Sequence, residues 1–172
     1  VRSGRSLRPL LLGGLGVAAV ACLVAGASVI VRRPPHPGPA SGTVSAEPPS
    51  VVVVDGETLR LHDTVVRLQG VAAPARGASC RREDGAAYDC GAAATRALAG
   101  IVRDRPVACR LHGRDDGGVV QGACEASGTD VNAAIVEAGW ARAEPAAGRL
   151  GAAELSARAA RRGAWDAGEG GL

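Results

Sequence analysis

The 172 residues carry 20 arginines and no lysine against 17 acids, for a formal net charge of +3, with 47% apolar residues and only two Trp and one Tyr as aromatics. That length holds one modest domain plus a tail or anchor. So small a basic surplus does not by itself imply a nucleic-acid partner, and a core with so few aromatic rings has to be built from Val, Leu, Ile and Ala.

Arg2, Arg5 and Arg8 give a basic N-terminus over residues 1–8. An apolar stretch over 9–31 follows, closed by Arg32 and Arg33. Its length suits a transmembrane anchor, which needs about 20 residues. Ala25-Gly26-Ala27 offers a cleavage site, so a signal peptide is the alternative. Val29 to Val31 continue the apolar run past that site and favour the anchor. The rest of the chain is then expected outside the cytoplasm, held at the inner (cytoplasmic) membrane, or periplasmic or secreted after cleavage. Residues 32–50 are rich in Pro, Ser and Gly and are expected to form a disordered linker that packs against nothing.

A folded domain is expected over 51–166 and a flexible tail over 167–172. Three β-rich runs, 51–54, 58–61 and 65–71, are separated by turn signals at Asp55-Gly56 and His62-Asp63, and Pro74 closes the third. Two short turns between three such runs predict a meander. A loop over 75–89 leads to a helix over 91–102, where Ala94, Leu98 and Ile101 share one face. Strands over 106–111 and 119–125 flank a turn centred on Asp116-Gly117. A short helix over 131–138 has Asp130 placed to cap it and Gly139 placed to end it. The last helix spans 149–162, with Ala-rich positions, Leu150 and Leu155 on its buried side and Glu154–Arg158 as an i,i+4 pair on its wet side. Trp165 is the expected packing anchor beyond it.

Besides Cys22 in the apolar stretch, the domain holds Cys80, Cys90, Cys109 and Cys124. Four cysteines behind an export-like leader read as two disulfides with three possible connectivities. Centring the second hairpin on Asp116-Gly117 sets Cys109 directly opposite Cys124, within bridging reach. Cys80 is then left with Cys90, stapling the loop. With no Cys-x-x-Cys pair in the chain, a zinc site is disfavoured.

Three motifs carry a family resemblance. They are V-D-G-E-T-L-R-L…V-R-L-Q-G-V-A-A-P ending at Pro74, G-x-x-V-N-x-x-I-V-x-x-G-W-A at Gly128 to Ala141, and A-x-x-A-R-R-G-A-W at Ala157 to Trp165. In this order, over about 51–165, they resemble the staphylococcal-nuclease-like (thermonuclease) family. The resemblance implies a mainly β, α+β fold: an OB-fold with a five-stranded barrel and about three helices. It also implies a calcium-dependent endonuclease acting on DNA or RNA. That chemistry needs carboxylates to hold a hard cation, a carboxylate to orient water and arginines to meet charge on the phosphate.

Laid on the chain, the resemblance makes Asp55 and Glu57 the metal candidates, with Glu57 standing where the family has Asp. Arg67 is the retained catalytic arginine. Ala72 replaces a second metal Asp and Ala75 replaces the water-orienting Glu. The family's D-x-Y-G-R, placed from Asp115, puts Gly118 in place of the second arginine. Alanine offers no oxygen and glycine no charge, so the implied function is a catalytically inactive domain used in binding or scaffolding. An active or weakly active Ca-dependent phosphodiesterase rebuilt around Arg76, Arg114, Glu83 or Asp84 is the alternative, and a purely structural envelope module is a third reading. Calcium is expected only where activity is retained. The expected partners are the membrane, through residues 9–31, and nucleic acid or another anionic ligand. The few aromatic residues argue against stacking platforms. The chain is expected to be a monomer.

Overall fold

The computed structural model describes residues 40–145 and 147–170, the side chains of 167–170 excepted. The expected membrane segment over 9–31 lies outside them. Among the described residues no helix is long and apolar enough to cross a membrane.

The expected meander forms as β2 (Val51–Val53), β3 (Thr58–Leu61) and β4 (Thr64–Leu68), paired antiparallel in turn. Inward positions Leu59, Leu61, Val66 and Leu68 are buried while Arg60 and Val65 face out, the period-2 alternation of a one-sided sheet. A two-residue strand, β5 (Val71–Ala72), continues the chain.

The segment expected to be a loop, 75–89, contains a small hairpin of β6 (Ser79–Arg81) and β7 (Ala87–Asp89). The Cys80–Cys90 disulfide pins that hairpin to the start of α1 (Cys90–Val102). Asp89 caps α1 by accepting from the Ala92 N–H at 2.7 Å.

The second hairpin, β8 (Val107–Arg114) and β9 (Val120–Ala126), sets Cys109 opposite Cys124, and the two are bridged. A register shift between Leu111 and Arg114 marks a bulge near the turn. Here β9 also pairs parallel with β4, joining the hairpin to the meander. A two-residue strand, β10 (Thr129–Asp130), adds to β9 and leads into α2 (Val131–Glu137), which Asp130 caps through the Ala133 N–H.

After α2, β11 (Arg142–Ala143) pairs with β5, and α3 (Leu150–Ala159) closes onto the core. The main sheet has the order β1-β8-β9-β4-β3-β2 and is curled as a half-barrel with three helices around it, a mixed α/β architecture.

The first strand of that order corrects the expected boundary at 51. Residues Ser41–Ala46 form β1, antiparallel to β8 from Ser41↔His112 to Ala46↔Val107, and Pro48–Ser50 make one 3-10 turn into β2. The linker expected over 32–50 therefore does not extend past residue 40. Its small polar side chains cannot build a core, but the free edge of β8 recruits backbone N–H and C=O groups whatever the side chains. Only Val44 and Ala46 of the strand reach the core.

Two expectations for α3 are also corrected. Leu155 is 69% exposed, and the buried side is Leu150, Ala153 and Ala157, a small-residue face spaced at three and four. Glu154 is not on the wet side: its side chain is 12% exposed and accepts from the Ala143 N–H at 2.8 Å while pairing with Arg158.

A 3-10 helix, Gly163–Gly170, takes in most of the expected tail. Trp165 within it is 1% exposed, with the Arg158 and Arg142 guanidinium carbons 4.2 and 5.6 Å from its ring centre. Gly139 lets this segment dock. Its φ is +79°, and a Cβ there would lie 2.1 Å from the Arg162 carbonyl oxygen, while its own oxygen accepts from the Ala164 N–H.

Asn132, on α2, is the polar hub. It is 2% exposed. Its Oδ1 accepts from the Cys124 N–H at 2.9 Å, and its Nδ2 donates to the Gln69 and Gly122 carbonyls at 3.0 and 3.2 Å. The side chain thus ties α2 to β9 and to the turn after β4.

Candidate functional site

The residues singled out in the meander meet at one end of the half-barrel. The turn between β2 and β3 is closed by Asp55, whose Oδ1 accepts from the Glu57 N–H at 3.0 Å. It presents Glu57 toward β4, where Arg67 lies opposite Thr58. Glu57 Oε2 accepts from the Ala73 N–H at 2.7 Å, and Oε1 lies 3.2 Å from Arg67 Nε. That Nε is buried and not aligned to donate to any partner among the described residues, so the contact is an ion pair without a hydrogen bond. The guanidinium is gripped from the other side as well: Nη1 donates to Asp115 Oδ2 at 3.3 Å. With its side chain 39% exposed, Arg67 lies between two carboxylates at the rim.

Burial pushes the Glu57 carboxyl above its ordinary value. The Ala73 N–H and Arg67 pull it back, and Asp55 and Glu144 add to the rise.

Sequence reasoning placed Asp115 in a motif but missed it as a partner of Arg67, 48 residues away. The link depends on the parallel β4–β9 pairing, which sets Arg67 opposite Gln121, and on the turn between β8 and β9, which carries Asp115. Only the register could have revealed it.

Ala72 is exposed on β5, opposite Arg142 on β11, and Ala75 is exposed just beyond. An apolar hollow of about 290 Å³ opens beside them, lined by Ala72, Ala73, Pro74, Ala78, the Cys80–Cys90 bridge and Arg142. Arg76, a candidate for rebuilding the site, donates instead to the Val54 carbonyl. Glu83 pairs with Arg161, and the Asp84 carboxylate accepts from the Ala86 N–H of its own turn. Arg114 donates to the Gly118 carbonyl at 2.7 Å.

Gly118 requires a correction. Residues 115–118 form a β-turn in which the Gly118 N–H donates to the Asp115 carbonyl, and Gly118 has φ +80°. An arginine there would be strained. Five-letter D-x-Y-G-R begun at Asp115 ends at Val119, so Gly118 is the string's own glycine and Val119 stands where the arginine would be. The Val119 N–H donates to Asp115 Oδ1 at 2.8 Å.

Asp55 and Glu57 do not fit a calcium ion. A calcium site takes six to eight oxygens. Here one oxygen of Asp55 and both of Glu57 already face an N–H or a guanidinium. Among the described residues no group of three or more His, Cys, Asp or Glu side chains is placed to hold a metal ion.

No family model matches the chain. It is 39% identical over 89 residues to the "Succinoglycan biosynthesis protein ExoI" of Rhizobium meliloti (strain 1021). The aligned stretch covers 51% of this chain and 47% of that protein, so the match spans about half of each.

Proposed function

We propose that the chain carries a thermonuclease-like, OB-type domain whose catalytic end no longer hydrolyses phosphodiesters and which acts in binding or scaffolding outside the cytoplasm. The observation that carries this reading is the state of Glu57 and Arg67. The carboxylate is engaged by the Ala73 N–H and by Arg67, and the guanidinium is held between Glu57 and Asp115. A nuclease needs the first free for a cation and the second free for the phosphate. Ala72 and Ala75 leave no other carboxylate at the positions where the family resemblance calls for one. The two disulfides support an oxidising compartment. An apolar segment over 9–31 that anchors the chain in the inner membrane agrees with that compartment.

Similarity to a protein named for succinoglycan biosynthesis favours one setting for such a module, the production of envelope polysaccharide. In that setting the domain organises or binds components of the process and does not cut nucleic acid.

Restoration of the missing groups tests the reading. Glu57→Asp, Ala72→Asp, Ala75→Glu and Val119→Arg together are expected to give calcium-dependent cleavage of single-stranded DNA, while each alone does little, because such groups act as a unit. A quadruple variant that folds, binds calcium and still fails to cleave would show that the end of this half-barrel is not a nuclease site with parts removed.

A further inference from the structure

Aromatic residues are scarce, yet the fold gathers two of the three at one surface. Trp165 is in the core. Tyr88 on β7 and Trp140, three residues after α2, meet edge to face with ring centres 6.5 Å apart and planes at 79°. They border a hollow of about 420 Å³ whose other lining residues are Arg82, Ala93, Arg96 and Ala97. Arg82 lies over the Tyr88 ring at 4.6 Å. Ala93 and Ala97, one turn apart on α1, add only methyl groups to its lining.

The charge of this hollow is one-sided, since two guanidinium groups line it and no carboxylate does. Five arginines elsewhere, Arg67, Arg149, Arg158, Arg161 and Arg162, pair with Asp or Glu. Arg96 is exposed on α1 and has neither a hydrogen bond nor an ion pair among the described residues. Tyr88 Oη is closed off from solvent, and burial together with Asp166 pushes its pKa up against the pull of Arg82.

We propose that this hollow binds one nucleotide of a single-stranded nucleic acid, with the base stacked on the Trp140 ring and the phosphate held by Arg96 and Arg82. The chemistry selects that ligand. A nucleobase presents a flat π face, and its phosphate only accepts hydrogen bonds, matching rings and donor-only guanidinium groups. A polysaccharide segment presents many hydroxyl donors, and no carboxylate or amide side chain lines the hollow to accept them. The hollow shares no lining residue with the Glu57–Arg67–Asp115 group and does not depend on whether that end retains chemistry.

The test is equilibrium binding of a fluorescein-labelled oligo-dT strand to the full chain in a non-ionic detergent, followed by anisotropy and by quenching of Trp140 emission. Arg96→Gln and Arg82→Gln are each expected to weaken binding about tenfold, the loss of one charge-assisted contact. Each should also lower the slope of log K against log salt by about 0.7, the value for one phosphate contact on a single strand. Arg60→Gln, an exposed control on β3, should change neither. Circular dichroism checks that the variants fold. Oligo-dT that does not bind, binding untouched by the Arg82/Arg96 double variant, or binding abolished by Arg67→Ala alone would overturn the proposal. So would an acidic polysaccharide that binds more tightly than oligo-dT and loses affinity in the same double variant.

Discussion

Asn132→Ala is expected to cost the domain about 2–4 kcal/mol. The side chain is buried and makes three hydrogen bonds, and truncation affects them unequally. The Cys124 N–H loses its Oδ1 acceptor inside the core, and a buried orphaned donor costs about 1–3 kcal/mol. The Gly122 carbonyl loses Nδ2 but keeps the Gln69 N–H at 2.9 Å, so that loss is small. The Gln69 carbonyl bond adds about 1 kcal/mol. With a urea slope of about 2 kcal/mol/M, the midpoint should fall by about 1–2 M, read from the emission of buried Trp165. Asn132→Asp sharpens the test. It keeps an acceptor for Cys124 but aims a carboxylate at two carbonyl oxygens, so at pH 7 it should be at least as damaging as alanine and recover in part when acid protonates it. A loss below about 1 kcal/mol for alanine, or a harmless aspartate at pH 7, would refute the claim that this residue joins α2 to the sheet.

Further outcomes follow from the fold. Cys109→Ala with Cys124→Ala should lower stability by about 3 kcal/mol, the loop-closure value for some 15 residues, and non-reduced peptide maps of the native protein should contain Cys80–Cys90 and Cys109–Cys124 only. Deleting residues 41–46 should lower the thermal midpoint and promote association, because it strips β1 from the edge of β8 and uncovers a ladder; an unchanged midpoint would return those residues to the linker. Glu57 should make stability fall as pH rises. Its folded carboxyl is raised above the ordinary 4.5, so the folded state holds the proton more tightly than the unfolded chain, and that stabilisation, full below 4.5, is lost as pH passes the raised value. The thermal midpoint of Glu57→Gln should therefore gain on the native protein over that interval, and parallel curves would contradict the raised value.

Local chemistry was legible where a turn or a cap sets geometry by itself. Asp55-Gly56 and His62-Asp63 located the meander, Asp116-Gly117 located the second hairpin and its opposed cysteines, and Asp130 located the start of α2. The strand β1 was hidden because backbone groups of β8 hold it, and its Ser, Gly and Thr side chains carry no strand signal. The β6–β7 hairpin was hidden because three-residue strands in a polar loop depend on a disulfide and on α1. Leu155 misled because hydrophobicity was weighed ahead of helical phase, whereas the packed side of α3 is Leu150 with Ala153 and Ala157. At the site, Arg67 and Glu57 could be named from motif, but their mutual engagement and the grip of Asp115 depend on a parallel strand pairing that no local pattern encodes. The meeting of Tyr88 with Trp140 is likewise a product of topology, which counting rings does not reveal.

Central to this account is the proposal that the Glu57–Arg67 end of the half-barrel is a thermonuclease-like end without the means to cut. The most direct measurement is turnover of single-stranded DNA by the purified full chain, with calcium and with a chelator, beside Arg67→Ala purified in the same way. The account predicts that calcium adds no cleavage beyond that of the Arg67→Ala protein. Robust calcium-dependent cleavage by the native chain, abolished by Arg67→Ala, would contradict it and show that Arg67 leaves its two carboxylates to meet a phosphate.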